Sequence, residues 1–377
     1  MKIALITIHY ANSYGGTLQA LASQKVLSAF GDVEIIDYKS DELRNTLKLI
    51  RVDGSIRSIL RAGKDLFRIV PRRRLIKKFK LFIQGNYNLT EECKGFKDLQ
   101  DVSKLYDYVV CGSDQIWNPK ITGKLDLNYM LEFATEAKKV SFSSSSGSYT
   151  YTESEALEVK KNLSTFHSIS VREEDTAEKL QCLLGGKAIH HTLDPTLMLN
   201  KQEWLQAIGG YKSQSKQTDK YILVYTLKKD VLTREAVKKI RSILGLEVIA
   251  IDQDPYLGYR ADHHIMDASP SDYISLFSKA SFVVTNSFHG TAFAVNFEIP
   301  FITTQPESGS NRIKGLLDNL SLSRHFIESL DDIDSVAKGV VDFAQSKSKL
   351  EVMRVSSWNY LKNAFATNSK SEKPGIL

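Results

Sequence analysis

The sequence predicts an α/β protein built from two doubly wound domains, and three observations carry that expectation. The chain has 377 residues, about two and a half times a ~150-residue domain unit. Short apolar runs alternate with segments of helical period along most of its length. The polar stretch Gly209 to Asp219, with Gly-Gly, Ser and Lys, separates that alternation into two series, as an interdomain linker does. A composition of 42% hydrophobic and 25% charged residues, with 21 Gly and 8 Pro, excludes a disordered or fibrous chain.

The first series opens with the strand Lys2 to Ile8, a Gly-bearing loop through Asn12, Ser13, Gly15 and Gly16, and a helix through Leu18, Leu21, Ala22 and Leu27. Further strands are expected at Val33–Asp37, Leu105–Cys111, Val140–Phe142 and Phe166–Val171, with a helix from about Asp175 to Leu184. The second series places strands at Tyr221–Tyr225, Glu247–Ile251, Ser281–Thr285 and Pro300–Thr303. Between them lie helices near Arg234–Leu244 and Ser271–Ser278, and a last helix, Leu350 to Ala366, is expected to cross back onto the first domain. Two such halves facing a central cleft make a GT-B-like, two-Rossmann-domain architecture, divided as 1–210, 211–345 and a helix with tail at 346–377.

The formal charge of +6 is unevenly spread. Between Arg44 and Lys80 thirteen Lys/Arg face only Asp53 and Asp65, so the rest of the chain is slightly acidic. Apolar residues recur there at helical intervals (Ile56, Ile59, Leu60, Leu66, Phe67, Val70, then Leu75, Ile76, Phe79, Phe82, Ile83), giving a basic helical insertion at about 44–85. No nucleic-acid recognition motif accompanies it, so nucleic acid is not an expected partner. The segment either docks on an anionic membrane or grips a polyprenyl diphosphate, or it packs its apolar face on the first domain with its charges solvated. Three scattered Cys fit a reducing compartment, and neither a secretory leader nor a run of ~18 apolar residues is apparent, so a cytoplasmic location is expected.

Ligands of open α/β sheets bind at the carboxyl ends of strands. That rule selects Asn12 to Gly16, Ser113-Asp114, Ser143 to Ser146, Arg172-Glu173, Asp194 and Asn286 to Thr291. Thr285-Asn-Ser-Phe-His-Gly-Thr291 sets hydroxyls and backbone N–H groups at a helix start, which favours phosphate, and His289 can carry a proton near neutral pH or merely cap the helix. Arg172 follows an apolar strand as an anion clamp or as the partner of a nearby carboxylate. Asp114 can act as a base or close a turn, and Trp117 can stack on a sugar face or belong to the core. Gly15-Gly16 fits neither dinucleotide nor Walker patterns. His190-His191 and His263-His264 point to opposite faces if they lie on strands, so no metal site is expected.

In combination, Gly112-Ser-Asp-Gln-Ile-Trp-Asn-Pro119, Ser170-Val-Arg-Glu173, Leu193-Asp-Pro-Thr-Leu197 and Thr285-Asn-Ser-Phe-His-Gly-Thr291 before Ile299-Pro-Phe301 resemble the polysaccharide pyruvyl transferase family. Gly15-Gly-Thr-Leu-Gln19 fits as well, and the match runs from about residue 1 to 345. The resemblance implies transfer of pyruvate from phosphoenolpyruvate to two hydroxyls of a sugar, giving a cyclic ketal in a surface or capsular polysaccharide precursor. It implies His289 and Arg172 as donor-site residues, with no cofactor beyond the donor itself.

On that scheme His289 is the acid, Arg172 holds the donor's carboxylate or phosphate, and Asp114 is a candidate base. Asn286, Ser287, Gly290 and Thr291 cradle phosphate, and Arg312 adds a cation or caps its helix. The second domain is then the donor side. The first is the acceptor side, with Asn12, Tyr14, Gly15, Gly16 and Trp117 toward the sugar. The alternatives are a GT-B glycosyltransferase using a nucleotide sugar and a non-catalytic glycan-assembly protein.

Overall fold

The computed structural model describes residues 1–44, 68–211, 220–305, 310–339 and 341–366. The first sheet has the order β3-β2-β1-β4-β5, built from β1 (Lys2–Ile6), β2 (Asp32–Tyr38), β3 (Leu89–Cys93), β4 (Tyr108–Cys111) and β5 (Lys138–Ser141). The short parallel pair β6 (Ile169–Val171) and β7 (Ile189–His191) extends it through bridges from Val140 to Ser168 and from Ser144 to Val171. The second sheet runs β10-β9-β8-β11-β12-β13. Its strands are β8 (Tyr221–Tyr225), β9 (Glu247–Ile251), β10 (His263–Ile265), β11 (Phe282–Thr285), β12 (Phe301–Thr304) and β13 (Phe326–Ile327).

Every paired strand is parallel. Parallel sheets need helical crossovers that cover both faces, which is why central strands such as Tyr221–Tyr225 are apolar and buried at every position. Two Rossmann-like sheets of this kind make the GT-B-like α/β fold that the sequence predicts.

Eight helices position the site: α1 (Tyr14–Leu27), α2 (Ile69–Asn86), α3 (Glu174–Leu183), α4 (Pro195–Met198), α5 (Pro270–Lys279), α6 (Phe288–Asn296), α7 (Ser310–Asn319) and α8 (Phe343–Ala364). Helix α1 carries no charge before Lys25 and is buried over most of its circumference, because it packs on α4, α5 and α6 between the two sheets. Tyr14 at its start stacks on Tyr273 with ring centroids 4.7 Å apart and donates its hydroxyl to the Ala268 carbonyl at 2.8 Å. Helix α8 lies against the first half of the chain. Tyr360 donates to Ser141 O at 2.6 Å, Ser357 Oγ accepts from Leu193 N at 3.0 Å, and Phe365 packs 5.0 Å from both Phe30 and Tyr108.

Of the basic insertion, residues 45–67, with Ile56, Ile59, Leu60, Leu66 and Phe67, lie outside the described residues. The remainder forms α2, whose buried face is Arg72, Leu75, Phe79 and Phe82. Phe79 meets Tyr14 at 5.2 Å, while Lys78 reaches the second domain by donating to Asp267 O at 2.7 Å. Arg72 points inward and donates to Gln253 Oε1 at 3.3 Å, whereas Arg73, Arg74, Lys77 and Lys80 face solvent. No described helix is long and apolar enough to cross a membrane.

Candidate active site

Asp194 is the hub of the site. It is 1% exposed and N-caps α4, its Oδ1 accepting from the backbone N–H of Thr196 at 2.9 Å and from its hydroxyl at 2.7 Å. Its other oxygen accepts from Ser113 Oγ at 2.9 Å and from Arg172 Nη1 at 2.8 Å. Arg172 leaves β6 directly into this buried position. Its Nε donates to Glu173 Oε1 at 3.0 Å, and Ser145 Oγ fixes that same carboxylate oxygen at 2.7 Å. Asp114 Oδ1 stands 4.0 Å from Arg172 Nη1.

Burial opposes ionisation of both members of the pair. The carboxylates of Glu173, Asp194 and Asp114 nevertheless raise the Arg172 pKa above its ordinary value. For Asp194, His289 and Arg172 outweigh burial and hold the carboxyl well below the usual carboxylate range.

His289 comes from the opposite sheet. Strand β11 ends at Thr285, Ser287 caps α6, and the imidazole projects from the first turn of that helix. Its Nε2 lies 3.7 Å from Asp194 Oδ2, an ion-pair distance too long for a hydrogen bond, and this buried nitrogen has no hydrogen-bond partner. The other side of the ring rests on Gly15, where a methyl group would fall 2.1 Å from Nδ1. A methyl group on Gly16 would stand 3.5 Å from Asp114 Oδ2, an ordinary contact, so it is Gly15 that lets α1 approach His289.

Two guanidinium groups meet the Phe288 ring. Arg172 stacks over its ring at 4.7 Å and Arg312 of α7 at 5.8 Å. Both line a chamber of about 90 Å³ together with Glu173, Asp194 and Asn311. Arg172 Nη2 and Arg312 Nε are buried N–H donors without a partner. Burial, followed by the Arg172 charge, lowers the Arg312 pKa. Two cations with unused donors around one small chamber are complementary to an anion.

The structure brings Arg172, Asp114, His289, Gly15, Gly16 and Arg312 together and separates others from that group. Trp117 is 1% exposed and donates its indole N–H to Tyr129 O at 2.9 Å, so it belongs to the core and offers no face to a sugar. The Tyr14 hydroxyl is committed to Ala268, which makes this residue part of the domain seam. Thr291 is fully buried and donates to Ser287 O at 3.0 Å, with Thr303 Oγ1 at 3.1 Å, so its hydroxyl does not cradle phosphate. Asn286 accepts from Leu227 N and donates to Lys228 O, both at 2.8 Å, bracing the loop after β8. Ser287 Oγ and Gly290 N bond to each other at 3.3 Å as a helix cap. Asn12 Nδ2 is buried without a partner and lines a separate interdomain cleft.

The sequence marks Ser113, Glu173 and Asp194 only as polar residues after a strand, with no role of their own, and does not mark Phe288 as a separate site residue. The signal for Asp194 was the Asp-Pro step, an N-cap followed by Pro at the first helical position, which fixes a carboxylate at a helix start. His190 and His191 do face opposite ways: His190 packs on Tyr360 at 5.0 Å, and His191 Nε2 bonds to Arg172 O at 3.0 Å.

Both halves of this GT-B-like fold contribute charged groups to one buried cluster. The model of the polysaccharide pyruvyl transferase family matches residues 14–306, most of the chain, and the protein belongs to that family. No curated protein matches the chain. Among solved structures it is similar to the UDP-N-acetylglucosamine 2-epimerase of Rickettsia bellii, at 10% identity and TM-score 0.49, covering 96% of this chain and 98% of that one. The Methanocaldococcus jannaschii UDP-GlcNAc 2-epimerase is similar at 12% identity and TM-score 0.49, with 94% and 99% covered. An alpha-glucosyltransferase in complex with UDP is similar at 7% identity and TM-score 0.48, with 96% and 95% covered.

Proposed function

We propose that the protein transfers pyruvate from phosphoenolpyruvate to two hydroxyls of one sugar in a surface-polysaccharide precursor, forming a cyclic ketal and releasing phosphate. The observation that carries this reading is the chamber flanked by Arg172 and Arg312, each with an unpartnered buried N–H donor, beside His289 and Asp194.

In this scheme the two guanidinium groups, both against the Phe288 ring, hold the donor's carboxylate and phosphate. Protonated His289 gives its proton to the methylene carbon of the enol, and the first sugar hydroxyl adds to C2 as the positive charge develops there. The Asp194 carboxylate, 3.7 Å from Nε2, stabilises the imidazolium before transfer. The C2–O bond to phosphate then breaks and the second hydroxyl closes the ring. One hydroxyl proton replaces the one that reached carbon, and the other leaves with phosphate. Asp114, whose Oδ1 stands 4.0 Å from Arg172 Nη1, is the candidate base.

Phosphate release from phosphoenolpyruvate in the presence of a panel of glycans tests the reaction, with the acceptor's gain of a pyruvate ketal read by mass spectrometry. His289→Ala abolishes turnover while leaving the fold intact. Near wild-type release by that variant, or no release with any acceptor, overturns the reading. The solvent-facing cations of α2 support one further element of the proposal, peripheral contact with an anionic membrane that carries the acceptor.

A further inference from the structure

The two buried carboxylates of the Arg172 chamber differ in how far the protein satisfies them. Both oxygens of Asp194 accept hydrogen bonds, Oδ1 from Thr196 and Oδ2 from Ser113 and Arg172. Glu173 accepts on one oxygen alone. Its Oε1 takes Arg172 Nε at 3.0 Å and Ser145 Oγ at 2.7 Å, while its buried Oε2 has no hydrogen-bond partner. Nor does this side chain serve its own helix: Glu173 stands at the N-cap of α3 and caps no backbone N–H there. The side chain is 8% exposed and turned toward Arg172.

Three residues that line one chamber thus each keep a buried polar atom unpaired: donors at Arg172 Nη2 and Arg312 Nε, and an acceptor at Glu173 Oε2. A buried polar atom without a partner costs free energy that a ligand recovers by pairing with it. The ligand that satisfies all three is an anion that also carries an O–H group. Orthophosphate at neutral pH is such an ion, with oxygens for both guanidinium groups and at least one P–OH for the carboxylate. Sulfate has the same tetrahedral shape but no proton, so it would turn a bare oxygen against Oε2. The chamber's volume of about 90 Å³ holds several waters, and hence one tetrahedral oxyanion.

We infer that Glu173 is a specificity-determining residue that makes this chamber a site for protonated phosphate, an inference that rests on the pyruvyl transfer reading for that phosphate being the reaction's product. The donor's phosphate is then the group that faces Oε2, and its carboxylate, ionised at neutral pH, is turned away from Glu173. When the C2–O bond to phosphate breaks, the proton that leaves with phosphate sits on the oxygen facing Oε2.

The test is calorimetric titration of the full-length protein at neutral pH with inorganic phosphate and with sulfate, at fixed ionic strength in a buffer free of oxyanions. It is repeated on Glu173→Gln and on Arg312→Gln. The glutamine at 173 keeps an oxygen to accept from Arg172 and Ser145 and puts an N–H donor where Oε2 stood. The expected result is saturable phosphate binding by the wild type, with sulfate weaker by about tenfold or more. In Glu173→Gln the two anions come within about threefold of each other, whereas Arg312→Gln weakens both, since it removes a cation and leaves the carboxylate in place. A merely structural role for Glu173 would weaken both anions and leave their ratio unchanged. Sulfate bound as tightly as phosphate by the wild type, an unchanged ratio in Glu173→Gln, or no phosphate binding to the wild type overturns the inference. A phosphate preference that Glu173→Gln abolishes, with no phosphate release from phosphoenolpyruvate by the wild type, retains the phosphate site and removes the pyruvyl transfer reading instead.

Discussion

The imidazole of His289 lies directly against the Cα of Gly15, so closely that a methyl group on Gly15 would fall 2.1 Å from Nδ1 and 2.6 Å from Cε1. One domain's first helix thus sets the position of the other domain's histidine. Gly15→Ala must push the ring aside or part the domains, and misplacing a reacting group by about an ångström costs on the order of 10²-fold in rate. Steady-state phosphate release should fall by that factor while far-ultraviolet circular dichroism stays unchanged. Full activity in Gly15→Ala would show that the contact does not position the ring.

Asp194→Asn removes the carboxylate shared by Arg172, Ser113 and His289 and leaves a buried guanidinium with Glu173 as its near partner. Breaking a buried pair in this way costs about 3–5 kcal/mol. The pH dependence has a definite sign. The folded-state pKa of Asp194 lies below that of an unfolded aspartate, about 3.9, so its contribution is full above that value and declines as pH falls below it. Denaturant unfolding at pH 7 and at pH 3 should therefore show a stability gap between wild type and variant that narrows in acid. A gap that stays constant would assign the loss to packing instead of charge.

The three thiols should divide into one reactive and two protected. Cys182 is exposed, while Cys93 and Cys111 are buried. Burial pushes Cys111 up to about 12 and Cys93 up to about 11, so neither supplies thiolate near neutral pH. A disulfide reagent should titrate one equivalent quickly in the native protein and three after unfolding, and Cys182→Ser should abolish the fast phase.

Membrane contact is testable on the outward face of α2. Arg73→Ala/Arg74→Ala should weaken binding to anionic liposomes, read by co-sedimentation, by about 1 kcal/mol per charge, roughly thirtyfold for the pair. Arg72 is excluded from this variant because it points into the domain seam and bonds to Gln253. Equal sedimentation by wild type and variant would remove the membrane from the proposal.

The central strands were legible because parallel strands buried on both faces read as unbroken apolar runs: Tyr221–Tyr225 and Glu247–Ile251 coincide with β8 and β9. The edges were not. β3 reads Leu-Thr-Glu-Glu-Cys, with Glu91 and Glu92 exposed on the rim of the sheet, and the three-residue β10 and two-residue β13 carry too little pattern to register. At the site, Arg172 stood out because a charged residue directly after an apolar strand is conspicuous, and His289 because Ser287, Gly290 and Thr291 surround it at a helix start. Trp117 and Tyr14 misled for the opposite reason: an aromatic near a loop suggests a stacking surface, yet each satisfies its polar atom on a backbone carbonyl inside the protein. The separation of the Asn12 cleft from the Arg172 chamber could not be read from one dimension, because residues of both domains build each of them.

Helix α8 covers Phe30, Tyr108 and the backbone of Ser141, all of which the ribosome makes long before residues 343–365. The first sheet therefore emerges with an uncovered apolar flank and keeps it throughout synthesis of the second. Its folding is finished by a segment that arrives after the entire active site has been translated. A nascent chain stalled short of residue 343 should expose that flank to chaperones and proteases, although every residue of the Arg172–Asp194–His289 cluster is already present.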